Sequence, residues 1–198
     1  MFAVVEDGKI TSMPKGNKGI TIGDIKHPAS IFSLWTEAQR NAIGVYTVEI
    51  DETNKKDEEW YVNTAITYTF GSGKVTGAYG TATAKAIADS DATDSEGNKL
   101  KDANGNQLIN KGLKTIKKED INNQCASLLA PSDWMVVRAT ETETTMDSGW
   151  KTWRASVRTK CNSMQTQIDN ASDIDALAAL FVYNAEGVRP LGEFPIKE

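Results

Sequence analysis

The sequence predicts an α+β fold, with a small antiparallel β domain carrying one short helix followed by a C-terminal helical hairpin. Three observations predict it. In VYTVEI (residues 45–50) and WYVNTAITYTF (residues 60–70), apolar side chains recur at every second position, the period of a half-buried strand. Beyond residue 118 the spacing changes to steps of three and four, the period of an amphipathic helix. Residues 71–117 are rich in Gly, Ala, Thr, Asp, Asn and Lys and show neither period. The expected segments are a β-rich region over 1–70, a polar hairpin or loop excursion over 71–117, a helical hairpin over 118–170, and a short helix with an extended tail over 171–198.

FAVV is short and apolar and runs into the turn EDG before KITS, which reads as a strand and a turn. Thr36 with Gln39 three residues later fits a capping box, and Gly44 fits the left-handed position that ends a helix. The strand with Trp60, Val62, Thr64, Ile66, Tyr68 and Phe70 on one face is the strongest β signal in the chain. In the excursion, EGNKL and NGNQL each place a Gly-Asn turn before an apolar residue, the pattern of polar hairpins.

From residue 118, Ile121, Cys125, Leu128 and Leu129 fall at helical spacing, with Glu119 and Asp120 in the expected first turn and Pro131 as the stop. The second helix is set by Met146, Trp150, Trp153, Val157, Cys161, Met164 and Ile168, a single apolar stripe. Arg154, Arg158 and Lys160 are expected on its polar flank, with Arg154 and Arg158 as ion-pair or partner contacts. Trp134 directly follows the turn-prone Pro131-Ser132-Asp133. It is expected to drop onto the helix bearing Trp150 and Trp153 and so fix the angle of the hairpin, each aromatic pair adding about 0.5–1.5 kcal/mol beyond area burial. Two such helices cannot bury both stripes alone and must dock on the strands, on a copy or on a partner. At the C-terminus, Ser172 or Asp173 can cap a short helix, and Leu191, Phe194 and Ile196 mark an extended tail that lies on another surface.

Composition narrows the function classes. The 198 residues carry a net charge of −5, so there is no basic footprint for a nucleic-acid backbone. No apolar run approaches the roughly 20 residues that span a bilayer. MFAVVEDGKITS is too acidic for a signal peptide, and synthesis in a cytoplasm is expected, with Cys125 and Cys161 as reduced, buried thiols.

Catalytic patterns are sparse. The single histidine, His27, precedes Pro28 in a loop and is expected to pack or cap rather than act as a base. Aligned as a calcium loop from Asp102, the glycine falls at the fourth position and Leu113 stands at the twelfth, so DANGN reads as turn chemistry. GSGKVTGAYG lacks the helix signal of a phosphate-binding loop. No catalytic residue, metal or cofactor is expected. One further possibility is a sugar-stacking platform on Trp60, Tyr61 and Tyr79.

SLLAPSDW followed by WKTWRASVR resembles a module of tailed-bacteriophage tail proteins, found in the tail assembly chaperone and tail-fibre-assembly-like families. There a helix ends in Leu-Leu-x-x-Ser-Asp-Trp, a variable loop follows, and a second helix reads Trp-x-x-Tyr-Arg-x-x-Leu-Arg. The matching positions are Leu128, Leu129, Ser132, Asp133 and Trp134, then Trp150, Trp153, Arg154, Val157 and Arg158. Trp153 stands where Tyr is usual and Val157 where Leu is usual. HPASIFSLWTEAQRNAIGVYTVEID looks like the N-terminal part of such proteins, and the two stretches cover about a third of the chain, whereas residues 71–118 match nothing in the family. The resemblance implies a non-enzymatic protein, made in a bacterial host cytoplasm and incorporated in the virion tail. Its partners would be tail-tube, baseplate or fibre subunits in multiple copies, contacted through Leu128, Leu129, Trp134, Trp150, Trp153, Arg154, Val157 and Arg158. The same module also occurs in assembly chaperones outside the virion.

Overall fold

A computed structural model describes residues 1–197, in two compact units, Met1–Ala84 and the chain from Lys85 onward. The fold is mixed α and β, strand-rich at the N-terminus and helical towards the C-terminus. The first unit is built on a five-stranded sheet of order β2-β1-β5-β8-β7, with β1 at Phe2–Glu6, β2 at Lys9–Ser12, β5 at Val45–Asp51, β7 at Ile66–Gly71 and β8 at Lys74–Tyr79. Two small ribbons, β3 (Ile20–Ile22) with β4 (Ile25–His27) and β6 (Tyr61–Val62) with β9 (Thr83–Ala84), complete it.

The sheet is mixed rather than antiparallel, because β5 and β8 run parallel. The β7–β8 hairpin turns through Ser72 and Gly73, both at positive φ, and lays its second strand rather than its first along β5. Alternation in the sequence is blind to that choice, since both strands of a hairpin carry the same period. The expected polar excursion therefore begins with core: Val75 on β8 is fully buried, and the division between units falls after Ala84 rather than at residue 70.

Both faces of the sheet are covered. Ala3, Val5, Val48 and Val75 pack on one side, and Val4, Ile31, Phe32 and Val45 on the other. This explains why FAVV is continuously apolar rather than alternating. The second face is closed by α1 (Ile31–Leu34), and α2 (Glu37–Asn41) follows with the expected Thr36–Gln39 capping box. The strand expected over 60–70 is interrupted. Asn63 accepts from the Lys56 N–H and donates to the Lys56 carbonyl, both at 2.8 Å, and the Thr64 hydroxyl accepts from Gly80 N at 2.7 Å. These bonds pin a loop between β6 and β7. His27 packs edge-on against Trp35, ring centroids 6.1 Å apart.

The second unit opens with a closed ring of three short strands. β10 (Ser90–Asp91) pairs with β11 (Ile109–Asn110), and bridges Thr93–Lys99 and Lys101–Gln107 complete the circuit. Ala92 N donates to Leu108 O, Leu100 N to Ala92 O, and Leu108 N to Leu100 O, at 2.8, 2.9 and 2.9 Å. Two equivalent turns hold the corners. Asp94 accepts from the N–H groups of Glu96 and Asn98, and Asp102 from those of Asn104 and Asn106, with Gly97 and Gly105 left-handed in each. The Gly-Asn pairs are thus hairpin turns, as their residues imply.

Four helices follow: α3 (Leu113–Leu129), α4 (Asp133–Glu141), α5 (Ser148–Asn170) and α6 (Ile174–Ala179). α3 begins before the expected residue 118, since Leu113 is buried and extends the stripe of Ile121 and Cys125. Glu119 consequently lies outside the first turn and pairs with Lys111 at 2.5 Å. α3 and α5 pack antiparallel. Lys118 reaches Asp169 at 2.7 Å, Gln165 donates to Asn122 at 2.8 Å, and Arg154 donates to the Leu129 carbonyl at 2.8 Å. In this register Cys125 faces Cys161, and Val157, Met164 and Ile168 fill the seam with both thiols free and buried. Burial, then the neighbouring Cys161, pushes the Cys125 thiol up and keeps it protonated. Asp173 caps α6, accepting from Ala176 N at 2.8 Å.

Gly44 joins α2 to β5 at φ +79°, and a Cβ there would stand 2.5 Å from the Val5 carbonyl oxygen. Gly44→Ala is expected to cost about 1–3 kcal/mol, read as a lower denaturant midpoint. The Asn98 and Asn106 bonds, together with those from the other turn N–H groups, hold the Asp94 and Asp102 carboxyls below the usual carboxylate range. A depressed carboxyl stabilises the folded turn above its unfolded pKa and loses that effect as pH falls through the folded one. Acidification below the ordinary carboxylate range is therefore expected to shift the Asn98 and Asn106 amide resonances together, and NMR titration measures this.

Candidate functional site

The residues singled out in SLLAPSDW and WKTWRASVR meet at one end of the α3–α5 pair. Pro131 has no N–H to continue α3, and the chain instead makes a 3-10 turn over Ala130–Ser132 that leads straight into α4. This leaves the Leu129 carbonyl without its helical partner. Arg154 fills the vacancy. Its Nη1 donates to Leu129 O at 2.8 Å and to Ser132 Oγ at 2.5 Å, and its Nη2 donates to Asp133 Oδ1 at 2.6 Å. Ser132 Oγ in turn donates to Leu129 O at 2.9 Å.

Arg154 was expected on the polar flank and is instead 5% exposed. It stands four residues after Trp150 and three before Val157, within the apolar stripe itself. Its charge disguised that position. The residue that fixes the turn is therefore Arg154, with Ser132 and Asp133 as receivers, and not Trp134. Trp134 is 54% exposed on α4 and lines an open groove of about 690 Å³ together with Trp150, Arg138 and Met146. The physical reason is continuation of the chain as helix after the 3-10 turn, which aims Asp133 at α5 and turns Trp134 outward.

The remaining residues divide between core and surface. Val157 is fully buried, Leu128 and Leu129 are half-buried, and Arg158 is exposed. Trp150 and Trp153 stack edge to face, centroids 5.6 Å apart at 89°. Trp153 Nε1 donates to the Pro195 carbonyl at 2.9 Å, Lys160 Nζ donates to the Leu191 carbonyl at 2.7 Å, and Lys197 sits over the Trp150 ring at 5.4 Å. The C-terminal tail is thus strapped along α5 of its own chain, with Leu191 fully buried. Lys160, expected on the polar flank of α5, instead holds the tail, and Pro195 gave no sequence signal, because an isolated proline is compatible with any loop.

The other candidate features lie elsewhere. Trp60 is buried, and Lys56 and Lys55 lie over the Tyr61 and Tyr79 rings at 5.8 Å each, so these aromatics form no open platform. Among the described residues no three His, Cys, Asp or Glu side chains cluster to hold a metal.

Magnitudes separate the three bonds of Arg154. Asp133 is 60% exposed at its side chain, so its ion pair contributes roughly 1 kcal/mol at most. The bonds of Arg154 to the Leu129 carbonyl and the buried Ser132 hydroxyl are charge-assisted and contribute about 1.5–3 kcal/mol each, and without them only the Ser132–Leu129 bond remains. Arg154→Met is therefore expected to destabilise the chain by about 2–5 kcal/mol, and Asp133→Asn by roughly 1 kcal/mol or less, in thermal or denaturant unfolding. Equal losses from the two substitutions would show that the ion pair, not the carbonyl and hydroxyl contacts, holds the turn. No protein-family model matches this chain, and neither a curated protein nor a solved structure matches it.

Proposed function

We propose that this chain is a non-enzymatic, tail-associated structural protein of a bacteriophage, in which α3, α4 and α5 form the helical hairpin that makes protein–protein contacts in the tail, baseplate or fibre assembly. The supporting observation is the joint action of the motif residues. Leu129, Ser132, Asp133 and Arg154, separated in sequence by up to 25 residues, converge on one turn. Residues spent on holding such a turn serve a shape for recognition rather than a reacting centre. The shape it holds out is apolar: Trp134, Val136 and Val137 on α4 are 54%, 42% and 55% exposed. Trp134 and Val137, three residues apart, share one side of α4, and exposed apolar side chains so placed are the ordinary mark of a contact surface. A tail neighbour seated there would bury about 800 Å² per partner.

Among the described residues no helix is long and apolar enough to cross a membrane. The reading places synthesis in the host cytoplasm and the finished protein in the virion tail, in several copies.

The same open α4 face supports a second reading, a transient assembly chaperone that holds a fibre subunit and then leaves. Quantitative mass spectrometry of purified, intact particles separates the two. A structural protein is expected at a fixed copy number following tail symmetry, on the order of three, six or twelve per particle. Absence from particles with abundance in the infected lysate would overturn the structural reading in favour of the chaperone.

A further inference from the structure

The α4–α5 groove combines cationic side chains with apolar ones and threonine hydroxyls. Its section nearest Arg154, about 420 Å³ in volume, has Val136, Ala139 and Met146 as apolar lining, and Lys151 and Arg158 beside them. Three threonines, at 140, 144 and 145, add hydroxyls. Among the described residues that line this section there is no carboxylate. Lys151, Arg154 and Arg158 follow one another on α5 at steps of three and four and so share one side of the helix. Asp133 already matches the charge of Arg154, whereas neither Lys151 nor Arg158 has an ion-pair partner among the described residues. Ala139, Thr144, Thr145 and Met146 also line the larger section, so the two adjoin, with Arg158 beside one and Trp134 beside the other. Arg138 adds a further cation there, and the one carboxylate in that section, Asp147, accepts from Trp150 N at 3.1 Å as the cap of α5.

We propose that this groove docks an acidic amphipathic segment of a neighbouring protein. The segment's apolar side chains would meet Trp134, Ala139 and Met146, and its carboxylates would meet Arg138, Lys151 and Arg158. Charge complementarity selects the occupant. The chain as a whole carries a net charge of −5, yet these cations gather around a groove whose lining mixes apolar side chains with threonine hydroxyls. An uncharged apolar segment would leave them desolvated and unmatched, and a basic one would be repelled. Arg154 is the positioning residue. Its bonds to Leu129 and Ser132 hold α4 at the distance from α5 that keeps the groove open. The proposal names the partner chemistry of the contact surface in the tail-protein reading and rests on that reading for the partner's identity.

The test uses the full chain and a dye-labelled synthetic peptide of about 14 residues, four helical turns, with Leu on one face and Glu on the other. A control peptide carries Gln at every Glu position. Fluorescence anisotropy is expected to show the Glu peptide binding at least about tenfold more tightly than the Gln peptide, with the difference shrinking as salt rises to roughly 0.5 M. A Lys151→Glu/Arg158→Glu double variant that melts like the parent is expected to lose about tenfold or more in affinity for the Glu peptide. Trp134→Ala, an exposed position, is expected to weaken both peptides alike.

Equal binding of the two peptides, no binding, or binding indifferent to the double variant would overturn the proposal. So would a dimer in sedimentation that the same double variant dissolves, since the groove would then belong to a second copy. The peptide is bound by the isolated protein, so the outcome is independent of the particle measurement. A protein present in particles that ignores the peptide keeps the tail reading and loses the docking site. A protein absent from particles that binds the peptide keeps the site and loses the tail reading.

Discussion

Arg154 brings a full positive charge into the seam between α3 and α5, and the arrangement of the helical unit follows from how that charge is received. A buried guanidinium is tolerated only where its donors meet acceptors. Here they come from one short stretch: the last carbonyl of α3, the Ser132 hydroxyl and the Asp133 carboxylate. The stretch offers those acceptors because α3 gives way to a 3-10 turn at Pro131, in which the Asp133 N–H goes to the Ala130 carbonyl rather than to that of Leu129. One residue that ends a helix thus creates the need that another, on the second helix, satisfies. The crossing of α3 and α5, and the angle at which α4 leaves, depend on that match.

The two faces of α5 serve different ends. Towards α3 it presents Val157, Cys161, Met164 and Ile168, a dry seam where close packing stabilises. Elsewhere it holds the tail through Trp153 and Lys160, whose bonds to main-chain carbonyls need no particular side chain in the tail beyond the buried Leu191. What neither the seam nor the tail covers is the α4 side, where Trp134, Val136 and Val137 remain open. The groove between α4 and α5 is the surface left over once the internal demands are met, and its cations are those that the internal ion pairs did not use.

The strand-rich unit depends on local devices instead. A capping box starts α2, a left-handed glycine lets the chain pass the Val5 carbonyl, and a two-residue turn at Ser72-Gly73 closes the β7–β8 hairpin. The three-stranded ring at 90–110 in the second unit works in the same way, with Asp94 and Asp102 each bonding their own turn. Such turns form from short-range interactions, so the capping box, Gly44 and the Gly-Asn turns were visible as strings of residues, whereas the Ser72-Gly73 turn was not. Their assembly was not. Nothing in EGNKL or NGNQL states that the strands between them close into a ring, because closure is decided by backbone groups that every residue carries.

The sequence by itself determined the α+β class, the capping box at Thr36, the strand at residues 45–50, the Gly-Asn turns and the apolar stripe of α5. All of these rest on residue types at fixed short spacings, where periodicity and turn chemistry act without help from distant chain. Only the tertiary structure decided the rest: the parallel pairing of β5 with β8, the break at Asn63, the early start of α3, the burial of Arg154 and the outward turn of Trp134. In each, a group far along the chain supplied what the local pattern lacked. The clearest case is Arg154, which stood on the stripe by spacing and off it by charge. Charge predicts exposure when the surroundings are unknown, and acceptors more than twenty residues away reversed that expectation.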